Sequence, residues 1–417
     1  MHTAEGGTMQ DAQFAKFVVW ISEAGLAGQT ETALLAGFCE RALAVGLPLA
    51  RATVLIDTLH PVYEGRMFTW QRHKEQAMLK EYGRGADVSD HWRRSPFYHL
   101  LQSGERLLRR RLTAASEAEF PILPELRAAG MTEYVAIIAP FTAEGIIGEM
   151  DGVYSSWVTD TPHGFRASHV GDLRRLVPLL ALAVKSASLA RITGTLVETH
   201  LGRDAGRRVL SGRIARGIAD RIEAVLWFSD LCGYTRITDT AAPEQVIPLL
   251  NDYADVVISA IHQQGGDVLK LMGDGALAIF TADHRTDACR AALAAAGAAR
   301  NGIAALNQRR RDQGLPITDM YLGLHVGEVF YGNVGSKDRL DFTVIGPAVN
   351  EVSRIAAMCR SVDQPVLLSS AFAAAAGDAR SGFVSVGRYA LRGVERPQEL
   401  FTLDPTVDTR DAHLSTR

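Results

Sequence analysis

The sequence predicts an α+β protein in which a mixed N-terminal region is joined by a helix to a C-terminal antiparallel sheet covered by helices. Two observations lead to this class. Up to about residue 165, short β-rich runs alternate with helical stretches, and from Ala224 the order is strand, helix, hairpin, helix, strand. The second order is that of a split βαβ, or ferredoxin-like, unit.

Composition excludes several classes of protein. Of the 417 residues, 47% are hydrophobic and 22% are charged, which is typical of a folded globular chain and not of a disordered one. Lys and Arg number 44 against 47 Asp and Glu, for a net charge of −3. This balance argues against a protein whose main role is to coat nucleic acid or an anionic membrane.

Cysteine spacing and apolar runs bear on the compartment. The four cysteines form no C-x-x-C pair, so neither a disulfide framework nor a zinc ribbon is indicated. The N-terminus lacks the pattern of a signal peptide, and the apolar run Leu176 to Val184 is shorter than the ~20 residues that span a bilayer. We therefore expect a cytoplasmic protein without a membrane span.

Residues 1–165 are predicted to form a regulatory domain. Arg51 to Asp57 and Tyr134 to Phe141 have the pattern of buried strands, and Gly145 to Trp157 has that of a strand pair. The strand GVYSSWVT, the loop after it and the segment FRASHVGDLRRLVPLLALAV resemble a GAF-type sensor module. That resemblance implies five to six strands and a final helix, but it carries no ligand signature, so the signal stays unidentified.

A helical linker is predicted over 166–222, with a long helix from about Arg166 to Val197. Its apolar residues recur at helical spacing, which fits either a signalling helix paired across a dimer or a helix packed on its own domain. Pro178 should kink this helix or mark its start. The basic runs Arg106 to Arg111 and Arg309 to Arg311 are interpreted as solvated faces, not nucleic-acid sites.

The C-terminal region, 223–405, carries the chemistry, and residues 406–417 form a tail. Asp230 ends the strand AVLWFSD, and Asp274 lies in the Gly-Asp-Gly turn of a hairpin at 267–280. Because the first strand and this hairpin are neighbours in a split βαβ sheet, both carboxylates can meet at one rim and hold one or two Mg²⁺. The turn after Asp230 can aim backbone N–H groups at phosphate oxygens.

Four motifs in order, FSDLCGYT, KLMGDGALAIF, GLHVGEVFYGNVGS and DFTVIGPAVNEVSR, resemble the catalytic domain of class III nucleotidyl cyclases. The resemblance covers about Gly212 to Pro405. Members of that family convert a nucleoside triphosphate to a 3′,5′-cyclic monophosphate and pyrophosphate. The resemblance therefore implies a cyclase domain behind the predicted sensor and linker.

The resemblance also implies residue roles. Asp230 and Asp274, with Leu231, correspond to the positions that hold two ions of Mg²⁺ or Mn²⁺. Asn350 corresponds to the ribose-orienting residue and Arg354 to the cation that stabilises the α-phosphoryl group. The remaining substrate-binding positions are Lys270 and Thr343 for adenine, Arg392 for the terminal phosphates, and Gly233, Tyr234 and Thr235 in the turn.

These residues together predict an adenylate cyclase that uses ATP. One chain carries a full set of them, and in this family the site lies between two catalytic domains, so the resemblance implies a homodimer with two equivalent sites. A guanylate or pyrimidine nucleotide cyclase, or a catalytically silent nucleotide-binding regulator, remains an alternative. Lys270 with Thr343 argues against guanine, and the complete set argues against silence.

Overall fold

The computed structural model describes residues 9–74, 76–83, 86–113, 119–141, 150–394 and 397–404. The chain divides into two compact units, Met1–Leu196 and Val197–Arg417, and the division falls within the helix predicted as a linker. The finer division into sensor, linker, catalytic domain and tail stays a prediction.

An antiparallel sheet forms the centre of the N-terminal unit. Its described strands follow the order β3-β2-β1-β6-β5-β4. Their bounds are β1 Arg51–Asp57, β2 Tyr63–Gln71, β3 Met78–Gly83, β4 Leu107–Arg111, β5 Glu133–Pro140 and β6 Gly152–Thr159. The strands predicted at 51–57 and 134–141 are confirmed. Of the pair predicted within 145–157, the second strand corresponds to β6, and 142–149 lie outside the described residues.

Helices cover both faces of this sheet. They are α1 Asp11–Leu26, α2 Glu31–Ala44, α3 Ala86–Arg93, α4 Pro96–Ser103, α5 Ile122–Ala128 and α6 Ala167–Leu201. Phe38 and Trp157 belong to the core under α1, α2 and α6. Leu100 and Tyr154 belong to the core on the opposite face of the sheet. Each face therefore buries its own apolar layer, as an α+β unit requires.

The long helix α6 packs on its own unit. Leu173, Leu176, Leu180 and Val184 lie in the N-terminal core, which supports the second of the two interpretations of this helix. It begins at Ala167, so Pro178 is interior and does not mark its start. By length and composition α6 could cross a membrane, but 44% of its most apolar window is buried inside the protein, as in a core helix.

The basic runs are less solvated than their composition predicts. Residues 107–111 form edge strand β4, in which Arg109 binds Glu133 and Arg110 binds Glu119. In the second run, Arg310 is 3% exposed and pairs with Asp252. Local charge patterns did not reveal these partners because they come from other elements.

The C-terminal unit is built on a second, larger sheet. Its described strands follow the order β13-β14-β12-β10-β7-β9-β8, with β11 paired to β10. The bounds are α7 Arg203–Leu210, β7 Ala219–Leu231, α8 Tyr234–Thr240, α9 Pro243–Gln263, β8 Asp267–Met272, β9 Gly275–Phe280, α10 Arg285–Asp312, β10 Met320–Gly335, β11 Leu340–Ile345, α11 Pro347–Val362, β12 Val366–Ser369, α12 Ser370–Ala375, β13 Phe383–Tyr389 and β14 Gln398–Leu403.

Strands β10-β7-β9-β8 reproduce the predicted split βαβ order. Both β7 and β10 are longer than predicted, because they pair continuously from Ala219 opposite Gly332 to Leu231 opposite Met320. Helices α9 and α10 cover one face of the sheet through buried alanines of α10, and α11 covers the other face through Val352. The rim at the end of β7 stays accessible between these layers.

Candidate active site

Two acidic side chains meet at the rim where β7 ends and β9 begins. Ser229 of β7 pairs with Ala276 of β9, so the next residue of β7, Asp230, lies beside the turn that carries Asp274. The two carboxyl groups lie close enough for the charge of Asp274 to act on Asp230. Burial, and then the charge of Asp274, raise the pKa of Asp230 to about 6. The structure thus brings together the two residues predicted to bind metal.

The surroundings of this pair suit a divalent cation. No ion pair to a cationic side chain is found for either carboxylate within the described ranges. A Cβ at position 275 would lie 2.9 Å from the Ser229 carbonyl oxygen and 3.4 Å from Oδ1 of Asp230, so glycine keeps the space beside the carboxylate open. Oxygen donors of this kind are preferred by Mg²⁺ and Mn²⁺.

The described part of the chain contains no group of three or more His, Cys, Asp or Glu residues that could hold a metal. Two carboxylates alone do not complete a coordination shell. Leu231 has an apolar side chain, so this predicted metal-site residue can offer only its backbone carbonyl. Further oxygens would have to come from the substrate and from water.

The turn after β7 has the predicted form. Cys232 donates its N–H to the Asp319 carbonyl at 2.8 Å, and Gly233 adopts a left-handed conformation with φ of 69°. Tyr234 then starts the short helix α8, and Thr235 is exposed on its first turn. Phosphate binding by this turn stays a prediction.

Lys270 lies on β8, which pairs with β9, and Thr343 lies on β11, which pairs with β10. Nζ of Lys270 in β8 is 2.5 Å from Oδ2 of Asp341 in β11. Asp341 and Thr343 share one face of β11, because the alternate residues Phe342 and Val344 are buried. Asp341 is a partner of Lys270 that the sequence analysis did not name. Because residues two apart on a strand lie on the same face, the position of Asp341 two residues before Thr343 could have indicated that it lies beside Thr343.

Asn350 and Arg354 lie one turn apart on α11, as predicted. Asn350 is exposed, and the Arg354 guanidinium lies beside the turn that precedes β14. A Cβ at position 393 would be 3.4 Å from both Nη1 and Nη2 of Arg354. The adjacent residue, Arg392, is exposed in the same turn, so the structure brings Arg354 close to the backbone that carries Arg392.

The predicted site residues therefore fall into two groups within one chain. One group is the Asp230–Asp274 pair with the turn after β7. The other is defined by its predicted role in nucleotide binding: Lys270 and Thr343 lie on β8 and β11, and Asn350, Arg354 and Arg392 lie on α11 and in the turn before β14. No hydrogen bond or ion pair joins the two groups among the residues that the structure describes.

Comparison with known families identifies this unit. The family model described as the adenylate and guanylate cyclase catalytic domain matches residues 219–405. Residues 219–405 belong to this family. The cyclase domain so defined begins at the first residue of β7, and its β7-β9 rim carries the acidic pair.

Individual proteins with sequence or structural similarity to this chain include the following. An uncharacterized protein of Mycobacterium tuberculosis is 32% identical over 238 residues, covering 57% of this chain and 42% of the relative, so the chain spans under half of that relative. Adenylate cyclase 1 of Rhizobium meliloti is 32% identical over 173 residues, covering 40% and 25%. The crystal structure of the guanylyl cyclase Cya2 is 29% identical with a TM-score of 0.40, covering 44% and 93%.

Proposed function

We propose that this protein is a homodimeric, cytoplasmic adenylate cyclase that converts ATP to 3′,5′-cyclic AMP and pyrophosphate. The observation that carries the proposal is that one cyclase domain holds both groups of residues complete, with Asp230 against Asp274 and Arg354 beside the Arg392 turn. A silent regulator would not require an acidic pair that lacks a cationic partner.

In the proposed reaction the ribose 3′ oxygen attacks the α-phosphorus, and the bond from that phosphorus to the pyrophosphate oxygen breaks. Asn350 holds the ribose, Arg354 stabilises the negative charge on the α-phosphoryl group, and Arg392 binds the terminal phosphates. Asp230 and Asp274, with the Leu231 carbonyl, would hold two ions of Mg²⁺ or Mn²⁺. Such ions, when bound, neutralise charge on the attacking and leaving oxygens.

Base selection rests on Lys270 and Thr343. Lysine can only donate hydrogen bonds, whereas the threonine hydroxyl can accept one from the amino group of adenine. Guanine carries a carbonyl in place of that amino group, so the Thr343 acceptor contact would be lost. The Rhizobium relative named an adenylate cyclase supports ATP, and the likeness to a guanylyl cyclase keeps GTP as the alternative substrate.

An exposed apolar surface supports the dimer. Leu271, Phe330 and Ile345 are 54%, 54% and 44% exposed on β8, β10 and β11, the strands around Lys270 and Thr343. Apolar surface of this kind marks an interaction site. Association there would bring the nucleotide-binding group of one chain toward the metal-binding group of the other.

We also propose that the N-terminal unit is a GAF-like sensor for an unidentified signal. Helix α6 runs from the core of that unit across the unit boundary, so it is the covalent route to the cyclase domain. The sensor assignment rests on the sequence resemblance and on the antiparallel sheet that carries helices on both faces.

Incubating the purified chain separately with ATP, GTP, CTP and UTP, with Mg²⁺ or Mn²⁺, and identifying the products by mass tests the activity. The expected product is 3′,5′-cyclic AMP together with pyrophosphate. Cyclic GMP or a cyclic pyrimidine nucleotide as the main product would favour the alternative substrates. Absence of any cyclic nucleotide under all eight conditions would favour the silent regulator.

Mixing two inactive variants tests the shared site. Asp230→Ala and Arg354→Ala should each be inactive as homodimers, because every site then lacks a metal ligand or the transition-state cation. A heterodimer places both lesions in one site and leaves the other intact. Random pairing gives about half heterodimers, so activity should return to roughly a quarter of wild type. A mixture that exchanges subunits and stays inactive would contradict the interfacial site.

A further inference from the structure

Helix α11 lies unusually close to β10 because two glycines face it. A Cβ at position 323 would lie 2.7 Å from the Ala356 backbone nitrogen, and one at position 327 would lie 2.5 Å from the Ala348 Cβ. His325 stands between these glycines on the same face of the strand and is 5% exposed. Helix α11 therefore rests on β10 with the His325 side chain buried beneath it.

His325 contacts a small polar cluster. Its Nδ1 is 2.9 Å from Oγ of Ser369, and that Oγ also accepts the Phe372 backbone N–H at 3.0 Å. Ser369 can therefore donate its hydroxyl proton to Nδ1, which leaves Nε2 as the protonated nitrogen of a neutral ring. Nε2 faces Oε2 of Glu351 at 3.7 Å. Burial lowers the pKa of His325, although Glu351 opposes the shift.

Glu351 connects this cluster to a second element. Its Oε2 accepts a hydrogen bond from Nε2 of Gln398 at 2.8 Å, and its side chain is 20% exposed. Gln398 is the first residue of β14, and the turn with Arg392 lies just before that strand. One hydrogen bond therefore links α11 to the segment that carries a predicted phosphate-binding arginine.

The Glu351–Gln398 hydrogen bond lies close in sequence to residues predicted to contact the substrate. Glu351 follows Asn350 directly, and Arg354 lies on the next turn of α11 against Gly393. Helix α11 thus contacts the turn through Arg354 and the start of β14 through the Glu351–Gln398 hydrogen bond. The second contact does not use a group assigned to substrate.

We propose that Glu351 is a positioning residue of the cyclase reaction, an inference that rests on the proposed function. Its hydrogen bond to Gln398, above His325, fixes the spacing between α11 and the Arg392 turn. At this spacing Asn350, Arg354 and Arg392 engage one triphosphate. Glu351 itself touches neither nucleotide nor metal.

This role predicts a selective kinetic defect. Arg354 acts on charge that develops in the transition state, so its displacement lowers kcat more than it raises KM. A misplacement of about 1 Å can cost on the order of a hundredfold in rate. We expect Glu351→Ala to lower kcat about ten- to hundredfold and to change KM for ATP less than about threefold. Glu351→Gln keeps an acceptor oxygen for Gln398 and should recover most of the loss.

The experiment uses the full chain and four variants: Glu351→Ala, Glu351→Gln, Gln398→Ala and the double variant Glu351→Ala/Gln398→Ala. Exposed Glu244, at the start of α9, supplies a matched control as Glu244→Ala. Steady-state kcat and KM are measured with ATP and Mn²⁺, and melting temperature is measured for each protein. If the two residues act through one hydrogen bond, the double variant should be no slower than the slower single variant.

Wild-type kcat in a folded Glu351→Ala protein would overturn the proposal, as would independent, multiplying losses in the double variant. A KM increase that accounts for the whole defect would also overturn it. If Glu351→Ala fails to fold, Gln398→Ala reports on the same hydrogen bond. A wild-type protein that forms no cyclic nucleotide would instead refute the proposed function, and with it this role. If the product is cyclic GMP, the same variants are measured with GTP.

Discussion

In the N-terminal unit the buried carboxylates of Glu133 and Glu31 are each bound by arginine, whereas in the cyclase domain Asp230 and Asp274 face each other. Glu133 is 1% exposed, accepts the Arg109 Nε–H at 2.9 Å, and also accepts the Phe165 backbone N–H at 2.5 Å. Glu31 accepts hydrogen bonds from Ser188 and Arg191. These charges are satisfied inside the fold.

The pKa shifts of Glu31 and Asp230 differ in sign. Burial alone would raise the pKa of Glu31, but a hydrogen bond from its backbone N–H and contacts with Arg191 outweigh it and lower the pKa. For Asp230 burial and Asp274 act together and raise it. A buried carboxylate with a structural role has a cationic side chain of the same protein as its partner. A carboxylate that binds a cationic ligand lacks such a partner until the ligand binds.

Removing an unmatched carboxylate should have the largest effect, and it should be on activity alone. We expect Asp230→Ala or Asp274→Ala to lower cyclase activity at least about a thousandfold, because metal charge stabilisation is worth several kcal/mol. The melting temperature of the metal-free protein should not fall, since repulsion within the pair is relieved. Initial rates and thermal unfolding measure both. Wild-type-like rates at saturating Mn²⁺ would contradict the metal assignment.

Removing a matched carboxylate should reverse this pattern. Glu133→Ala removes the acceptor of the Phe165 amide and of Arg109 Nε, leaving Arg109 its hydrogen bond to the Phe165 carbonyl, so the free energy of unfolding should fall by about 3 kcal/mol. The control is Glu119→Ala, whose pair with Arg110 is about a third exposed on both sides and should cost about 0–1 kcal/mol. Urea unfolding followed by tryptophan fluorescence compares them. Equal losses in the two variants would show that burial of the pair does not matter.

The Lys270–Asp341 pair tests an intermediate case, because it is exposed but belongs to the predicted base site. Lys270→Ala should lower kcat/KM for ATP about ten- to hundredfold, the value of one or two lost base contacts. Asp341→Ala should have a smaller effect, since exposed ion pairs contribute little. Rates with ATP and GTP measure both variants. If Asp341→Ala equals Lys270→Ala, the ion pair itself selects the base.

The smallest expected effect is the pH dependence that Glu31 contributes. Its pKa in the folded state lies below the ordinary value of 4.5, so the unfolded chain binds more protons in acid. Stabilisation from Glu31 is therefore present above about pH 4.5 and is lost as the pH falls through the folded-state pKa. The melting-temperature difference between wild type and Glu31→Gln should shrink below that pH. A difference that stays constant from pH 7 to pH 4 would exclude this contribution.

Much of the cyclase domain was predictable from sequence because its signals are local. Asp230 ends an apolar strand, and Asp274 lies between two glycines that mark a hairpin. The split βαβ order follows from the sequence of elements, and it places these residues on adjacent strands. The helix predicted from Pro243 to His262 matches α9 to within one residue, since proline begins it and Gly265 follows it.

Contacts between distant residues were not predictable. Arg109 and Glu133 lie on neighbouring strands, and neither run of sequence indicates the other. Strand β3 is exposed along most of its length, so it shows no alternation of apolar and polar residues. The Lys270–Asp341 ion pair joins side chains of β8 and β11. The two partners of Glu351, His325 and Gln398, lie on two further strands, β10 and β14.

The pairing of β7 with β10 has a consequence for the order of folding. Asp230 lies opposite Tyr321, and the chain between them forms α8, α9, β8, β9 and α10. Strand pairs so far apart in sequence form slowly, because closing the intervening chain loses conformational entropy before the stabilising contacts form. During synthesis on the ribosome, the edge of β7 that pairs with β10 therefore stays unpaired until β10 has emerged. The two-sided pairing of β7, with β9 on one edge and β10 on the other, is therefore completed only late in synthesis.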